Sequence, residues 1–382
     1  MSPGVFGVLV VVPQSKVLNT GVGLSPTPGI IEGRLWSSMP GSTCHWTARA
    51  CASWTRNILK EAKVACEPEA LITWLAAHGT PMARIGLEAG PLSQWLFAGL
   101  KAAGLPVELL ETRHVRAAFK AMPVKTDRKD ARGIAQLMRL GWFRPVHCKS
   151  LPAQEVRALL TTRKLLQAKR HDVEMSLRGV LRGFGLKVGP TTPKTFAMRV
   201  QELVTHHDTL RTIAEALLKA RAVLAQEFKA IEKRLAALAR TNAPTRQLMT
   251  TPGVGAIVAL TFASAIDDPS RFRSSRRVGA HFGLTPRKHQ SGETDVTGRI
   301  SRIGDHGVRV ALYEAANVIL TRAVRGSDLK SWALRVAQRA GMKKAKVALA
   351  RKLAVVLHRM LADGRSFMTT QGAGARAVAG AA

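Results

Sequence analysis

From residue 58 onward, apolar and polar positions recur with two clear periods. "ILKEAKVA" alternates with period 2 and predicts a strand, because successive strand side chains point to opposite faces. "PEALITWLAAHG" has the 3.6 period of a helix and stops at a glycine. "ARIGLEAG" predicts a short buried strand ending in Glu88, "SQWLFAGLKAAG" a helix, and "LPVELLE" another strand. "TRHVRAAFKAM" and "TDRKDARGIAQLMRLG" predict two further helices, the second with Thr126 as N-cap. Strands alternating with helices over about 58–147 predict an α/β layer domain.

Residues 151–245 carry no strand signal. Leu210, Leu217, Leu224, Ile231 and Leu238 recur every seven residues, with Ile213, Phe228 and Leu235 on a second seam, which is the stripe of a coiled coil. An earlier helix over about 153–182 carries Val156, Leu159, Leu160, Leu166, Val173 and Leu177 on one side. The pair predicts an antiparallel hairpin or a dimer seam, with a simple helical bundle as the alternative. Beyond it, "LMTTPGVGAIVALTFASAI" predicts a two-glycine turn and an apolar helix. A basic, glycine-punctuated stretch follows and closes with a helix, and "GMKKAKVALARKLAVVLHRML" predicts a final basic amphipathic helix. The tail "TTQGAGARAVAGAA" is of low complexity and is expected to be disordered. Residues 1–57 show no sustained period and hold three of the seven tryptophans. The expected division is an anomalous segment 1–57, an α/β domain 58–150, coiled-coil helices 151–245, a mostly helical C-terminal domain 246–365, and a tail 366–382.

Charge narrows the function. The chain has 58 Lys+Arg against 25 Asp+Glu, a formal charge of +33 and a pI near 11.4. A compact state with that charge repels itself unless something acidic neutralises it. Nucleic acid is the leading partner, since counterion release from phosphate drives binding to basic surfaces; a membrane surface is the rival. No run of 18 or more apolar residues would make a transmembrane helix, and "VFGVLVVVP" is too short and lacks a positive segment before it. A hydrophobic content of 46% supports a sizeable core and excludes wholesale disorder. Cys44, Cys51, Cys66 and Cys148 show neither a C-x-x-C pair nor zinc spacing, which fits a reduced, cytoplasmic protein.

Scarce acids in such a chain need a reason. Asp127 and Asp130 share a helix face at i, i+3 and repel each other unless a cation lies between them. Magnesium prefers carboxylate oxygen; solvated salt bridges to Lys125, Arg128, Lys129 and Arg132 are the plain alternative. Glu88 ends a strand in an α/β pattern, where ligands bind, or else is an ordinary loop acid. A strand-end acid with a helical D-x-x-D is the layout of RNase-H-like nucleases, in which two metals clamp a phosphodiester. In "TPGVG", Gly253 and Gly255 fit a helix-hairpin-helix turn whose amides hold a phosphate, or a tight turn between core helices. "RKHQSGETDVTGRISRIG" contains Ser291 and Ser301 among basic residues. A serine nucleophile needs a base or a metal, and no triad is legible nearby; His289 reads as a phosphate contact. Arg287, Lys288, Arg299 and Arg302 are the other candidate nucleic-acid contacts of this stretch.

These pieces in this order resemble the transposases of the insertion-sequence 110 family, related to the Piv/MooV DNA invertases. The resemblance is carried by "GLEAG", "KTDRKDARGIA", the helical hairpin, "TPGVGAIVALTFASAIDDPSRFRSSRRVGAHFGLTPRKHQSGE" and "GRISRIGDHGVRVALYEAA", over about 58–365. It implies an RNase-H/RuvC-like domain with a D-E-D-D magnesium site, a coiled coil and a C-terminal domain bearing a nucleophilic serine. It further implies that Glu88, Asp127 and Asp130 are the E, D and D, and that Ser291 is the nucleophile. DNA is the implied substrate, with a structured guide RNA encoded by the element; the coiled-coil stripe favours a homodimer or homotetramer. One feature departs from the family pattern: no aspartate precedes Asp127, so the first strand with its aspartate is expected to be missing. Residues 1 to about 57 are therefore expected to come from a shifted frame or a wrong start. Two rivals stand beside a serine recombinase: a metal-dependent junction nuclease without a covalent adduct, and a catalytically inactive nucleic-acid-binding remnant.

Overall fold

The computed structural model describes residues 9–13, 49–55, 58–77, 82–120, 126–322 and 327–368. The chain divides into two compact units, Met1–Lys149 and Ser150–Ala382.

The first unit is a mixed α/β layer structure. Its strands are β1 (Leu9–Pro13), β2 (Arg49–Thr55), β3 (Ile58–Val64), β4 (Met82–Glu88), β5 (Val107–Leu110) and β6 (Pro145–Val146), in the order β3-β2-β1-β4-β5-β6. Helices α1 (Pro68–Ala76), α2 (Ser93–Ala102), α3 (Thr112–Ala118) and α4 (Asp127–Leu140) complete it. β3, β4, β5 and the four helices lie where the periods put them. Parallel β4 and β5 are joined through α2, as a crossover between parallel strands requires. The pleat separates two apolar layers. Ile85, Leu87, Val107 and Leu109 pack with Leu71 and Leu75 of α1 and with Leu96 and Leu100 of α2. Leu110 packs with Ile134, Leu137 and Met138 of α4. Gly86 makes room for that helix: a Cβ there would lie 3.0 Å from the Met138 sulfur.

One expectation for this unit is corrected. Strands were not expected before residue 58, yet β1 and β2 both belong to the sheet, and β1 fills the place between β2 and β4. It runs parallel to β2 and antiparallel to β4. Its sequence, LVVVP, is an unbroken apolar run suited to a strand covered on both faces, which a period-2 test passes over. The strand carries no carboxylate.

The second unit is helical except for one two-stranded sheet. Its long helices are α5 (Leu151–Gly183) and α7 (Asp208–Thr241), with α6 (Phe196–Val204) between them in the chain. α5 and α7 pack antiparallel. Leu177 and Leu181 meet Leu210 and Ala214 at one end, and Val156 and Leu160 meet Leu235 and Ala239 at the other. The middle is polar. Buried Arg221 donates to Glu174 at 2.7 Å and to the Pro193 carbonyl at 2.9 Å, and Arg163 reaches Glu232 at 2.7 Å. Arg163 and Arg170 also lie over the Phe228 ring. The heptad stripe therefore makes an intramolecular hairpin with apolar ends and an ion-paired middle.

The rest comprises α8 (Ala243–Leu248), α9 (Ala256–Ile266), α10 (Arg276–His281), β7 (Pro286–Ser291), β8 (Thr294–Ile300), α11 (His306–Thr321), α12 (Asp328–Ala340) and α13 (Met342–Asp363). α9, α11 and α13 enclose the main core, with Phe262, Leu312, Ile319, Leu349, Leu353 and Leu357 almost fully buried. α9 also packs Leu260 on the α5–α7 pair. The C-terminal region is mostly helical, as expected; the β7–β8 hairpin and α12 were not foreseen. The expected disordered tail lies outside the described residues.

Candidate functional site

Glu88 is the last residue of β4 and is half-buried. Asp127 and Asp130 lie in the first turn of α4, capped as expected by Thr126, whose hydroxyl accepts from the Lys129 amide at 3.2 Å. Carboxylates in a first turn are favoured by the positive end of the helix dipole. The two aspartates differ: Asp127 is exposed, while Asp130 is only 7% exposed. α4 packs on β1, β2 and β4, so this turn is fixed by the apolar face of the helix behind it.

Hard oxygen donors of this kind suit magnesium. Their arrangement does not. Among the described residues, no three His, Cys, Asp or Glu side chains converge closely enough to hold a metal ion. The central strand β1 supplies no acid that could complete a set with Glu88 and Asp130. Glu88, Asp127 and Asp130, as placed, do not fit a two-metal centre.

In the second unit, Ser291 is the last residue of β7, paired with Thr294 across a two-residue loop, Gly292–Glu293. Gly292 has φ 55, which only a residue without a side chain adopts at little cost at the first position of so tight a turn. Ser291 is exposed, and no hydrogen bond engages its hydroxyl among the described residues. His289 lies two residues back on the same strand and so on the same face. Lys288 and Gln290 point to the other face, where Lys288 pairs with Asp295 at 3.1 Å. Ser301 is different in kind. It is half-buried, its amide donates to the Thr285 carbonyl at 2.8 Å, its carbonyl accepts from Arg287, and its hydroxyl accepts from the Ile303 amide at 3.4 Å. Ser291 is presented and Ser301 is built in.

Arg287, Lys288 and Arg299 are exposed on the hairpin, and Arg302 is exposed just past it. Arg302 holds φ 57, a left-handed backbone that costs a branched or long side chain about 1 kcal/mol. The hairpin is anchored at its base by a close backbone crossing. A Cβ at Gly304 would lie 2.2 Å from the His281 carbonyl oxygen, and one at Gly283 would lie 2.2 Å from the Ile303 oxygen. Asp305 then caps α11 and meets Arg157 of α5 at 2.7 Å. Burial pushes its carboxyl up, but the Arg157 charge and hydrogen bond, with the Val308 and Gly307 amides, outweigh that and hold it below the usual carboxylate range.

Gly253 and Gly255 occupy the α8–α9 turn. Gly253 has φ 77 and packs on α11, where a Cβ would lie 2.7 Å from Ile319 and 2.9 Å from the Ala315 oxygen. Gly255 is the exposed N-cap of α9, with open space about it. The first glycine thus serves close packing, and the second leaves the helix end accessible.

Comparison with known proteins points one way. The model of the IS116/IS110/IS902 transposase family matches residues 245–331, and a DEDD-type IS110 transposase model matches residues 45–185. The second match begins in the segment that had been set apart as anomalous and includes all of β2. The chain is 29% identical over 277 residues to the transposase for insertion sequence element IS1111A of Coxiella burnetii, covering 71% of this chain and 75% of the relative. It is 28% identical to a Pseudomonas aeruginosa protein named "Probable family 20 transposase", covering 74% and 84% respectively. It is 24% identical to the transposase for insertion sequence element IS1328 of Yersinia enterocolitica, covering 75% and 86%. No helix among the described residues is long and apolar enough to cross a membrane.

Proposed function

The chain belongs to the insertion-sequence 110 family of transposases, and from that premise we propose that it binds DNA through the basic β7–β8 hairpin and exchanges strands through a covalent link to Ser291. The observation that carries this reading is the presentation of Ser291. It is an unengaged hydroxyl beside a tight turn, flanked by Arg287, Lys288 and Arg299, on a hairpin whose residues from Pro286 to Arg299 are all exposed. In the proposed step, Ser291 Oγ attacks a phosphodiester, an Oγ–P bond forms, and the bond from phosphorus to a sugar oxygen breaks. The hydroxyl proton passes to solvent, and the leaving oxygen takes a proton from solvent. A later attack by a DNA hydroxyl reverses the link, so the bond energy is conserved and no nucleotide cofactor is needed. Guanidinium and ammonium groups around the hairpin neutralise the phosphate charge.

The reading includes a RuvC-like character for the first unit, a structured guide RNA and self-association. The crossover-joined α/β layers support the first. The formal charge of +33 supports a second polyanion beside DNA. Exposed Leu165, Met175 and Val223 on the long helices support the third. Glu88, Asp127 and Asp130 remain the acids that would serve magnesium, but they do not fit a metal site as they stand, and the serine chemistry above is written without one. That misfit favours a second reading, in which this copy binds nucleic acid and performs the chemistry poorly.

A duplex with a bridging phosphorothiolate tests the nucleophile, because its thiolate leaves readily and does not rejoin. Incubated in excess protein with magnesium, the parent chain and Ser301→Ala should accumulate a covalent protein–DNA adduct, and Ser291→Ala should give none. An adduct surviving in Ser291→Ala overturns the assignment. Its absence from all three chains supports the binding-only reading.

A further inference from the structure

Between the core helix α9 and the hairpin runs the segment Pro269–Arg277, "PSRFRSSRR", and its chemistry is used by nothing described above. It begins as a short 3-10 turn, Pro269–Arg271, and runs into α10. Arg273, Arg276 and Arg277 are exposed and engage no partner among the described residues. Arg351 of α13 joins them. Its stem lies across α10 over Gly279, where a Cβ would come within 3.1 Å of it. No aspartate or glutamate occurs from Pro269 to Gly292. Arg276 and Arg277 of α10, Arg273 just before it and Arg351 of the helix that α10 packs on are thus all exposed, with no acid among residues 269–292 to neutralise them.

The segment is held from behind by a histidine. His358 of α13 is 2% exposed. Its Nε2 lies 3.2 Å from the Pro269 carbonyl oxygen and its Nδ1 lies 2.9 Å from Ser275 Oγ. A carbonyl oxygen only accepts, so Nε2 carries the proton; Nδ1 then accepts from the Ser275 hydroxyl. Phe272 stands edge-on to this ring at 5.1 Å and to His281 at 5.2 Å, with Arg271 over its face at 4.3 Å. Burial lowers the His358 pKa, and Arg271 lowers it further against the pull of the Pro269 carbonyl and Asp363, which keeps the ring a neutral acceptor. One side chain therefore pins both ends of Pro269–Ser275, a seven-residue stretch that carries Arg273 and leads directly into Arg276 and Arg277.

We propose that Arg273, Arg276, Arg277 and Arg351 form a second contact surface for the backbone of duplex DNA, separate from the β7–β8 hairpin, and that the Ser275–His358–Pro269 clamp positions it. The proposal rests on the reading of the chain as a DNA-acting transposase and adds a surface to it. Arginine suits phosphate because its planar fork donates two parallel bonds and stays charged. Duplex is favoured over single strand because stacking of unpaired bases needs an open ring face, and the only aromatic ring of this segment, Phe272, is packed on its edges and covered by Arg271. Ser275 and His358 are positioning residues here and take no part in bond making.

The test is the salt dependence of binding to a fluorescent DNA duplex of about 30 base pairs, read by anisotropy between about 50 and 200 mM salt. The combined variant Arg273→Gln, Arg276→Gln, Arg277→Gln should shallow the plot of log K against log salt by about 2.7, since each lost phosphate contact is worth about 0.9. These side chains are exposed, so far-UV circular dichroism should match the parent's. Ser275→Ala keeps every charge; it should shallow the slope by about 0.9, one contact's worth, by loosening the segment. An unchanged slope in the triple variant overturns the surface, and an unchanged slope in Ser275→Ala removes the clamp from it. A slope change seen with duplex RNA and not with DNA overturns the choice of partner. If the parent chain itself fails to bind duplex DNA, the broader transposase reading fails instead, and the two failures are told apart by that control.

Discussion

The carboxylates of the first unit and the hairpin of the second hold their side chains in opposite ways. Asp130 is buried on a helix whose apolar face fixes its place. Ser291, His289, Lys288 and Arg299 are exposed on two strands that pack on almost nothing. The difference teaches what each chemistry demands. A metal centre needs several oxygens brought within a few ångströms of one point, so a single absent acid empties it. A phosphate-binding surface needs only that cations be displayed to solvent, and each cation contributes nearly independently. The first kind of site fails all at once, and the second degrades by increments.

If display and scaffold are separable in the second unit, substitutions should sort into two groups. The largest effect should come from Phe262→Ala. Phe262 is 1% exposed and packs 5.8 Å from the Phe282 ring, just before the hairpin. The variant should lose about 3–5 kcal/mol in denaturant unfolding, whereas Lys288→Gln should leave the midpoint within error. A Lys288→Gln loss as large as Phe262→Ala would break the comparison.

Next comes the polar middle of the long hairpin. Glu174→Ala leaves the Arg221 guanidinium buried with half its partners, and removing one side of such a pair costs up to about 3–5 kcal/mol. Glu174 is partly open to solvent, so a loss near the lower end is expected. The double variant Glu174→Ala, Arg221→Met should recover much of it in the same unfolding experiment, because apolar side chains of similar volume often replace a buried pair without loss.

A smaller effect should follow pH. The neutral form of His358 is the one the fold favours, so its pKa is lower folded than unfolded. Its contribution is complete above the unfolded value of about 6.5 and is lost as pH falls through the folded value. The groups that face it are Arg271, Asp363, Ser275 and the Pro269 carbonyl. Protonation of Nδ1 ends its role as acceptor, a loss of about 1 kcal/mol. The melting temperature should therefore drop by about 2–4 °C on acidification, and His358→Gln should flatten that drop. The smallest effect should have the opposite sign. Arg302→Gly relieves a left-handed backbone and should stabilise the chain by about 0.5–1 kcal/mol, while weakening DNA binding if Arg302 belongs to the displayed set.

Much of the scaffold was legible. Thr126 gave the start of α4, and the leucine series from Leu210 gave α7 and its seam. What escaped notice did so for physical reasons. β7 and β8 bury almost nothing, so there is no apolar alternation to find; they hold by their ladder and by the Gly292 turn, and "SGET" between two basic runs was the one local sign. β1 is apolar throughout and shows no period. β2, "RACASWT", has few large apolar residues and stands out only once its partners are known. Arg221 and His358 both interrupt apolar helix faces, at positions where leucine is the default; each is explained by a partner far away in sequence, Glu174 and Pro269, which no local pattern reveals. The acids were legible as residues and not as a site, because convergence is a property of the fold.

The most direct test of the account uses one purified sample of this chain, one insertion-sequence duplex and magnesium, with binding and strand cleavage measured side by side. The account predicts binding that weakens steeply with salt, and cleavage and recombination that are poor or absent. Efficient magnesium-dependent recombination by the same sample would contradict it, and would mean that this chain completes its metal site with an acid other than Glu88, Asp127 and Asp130.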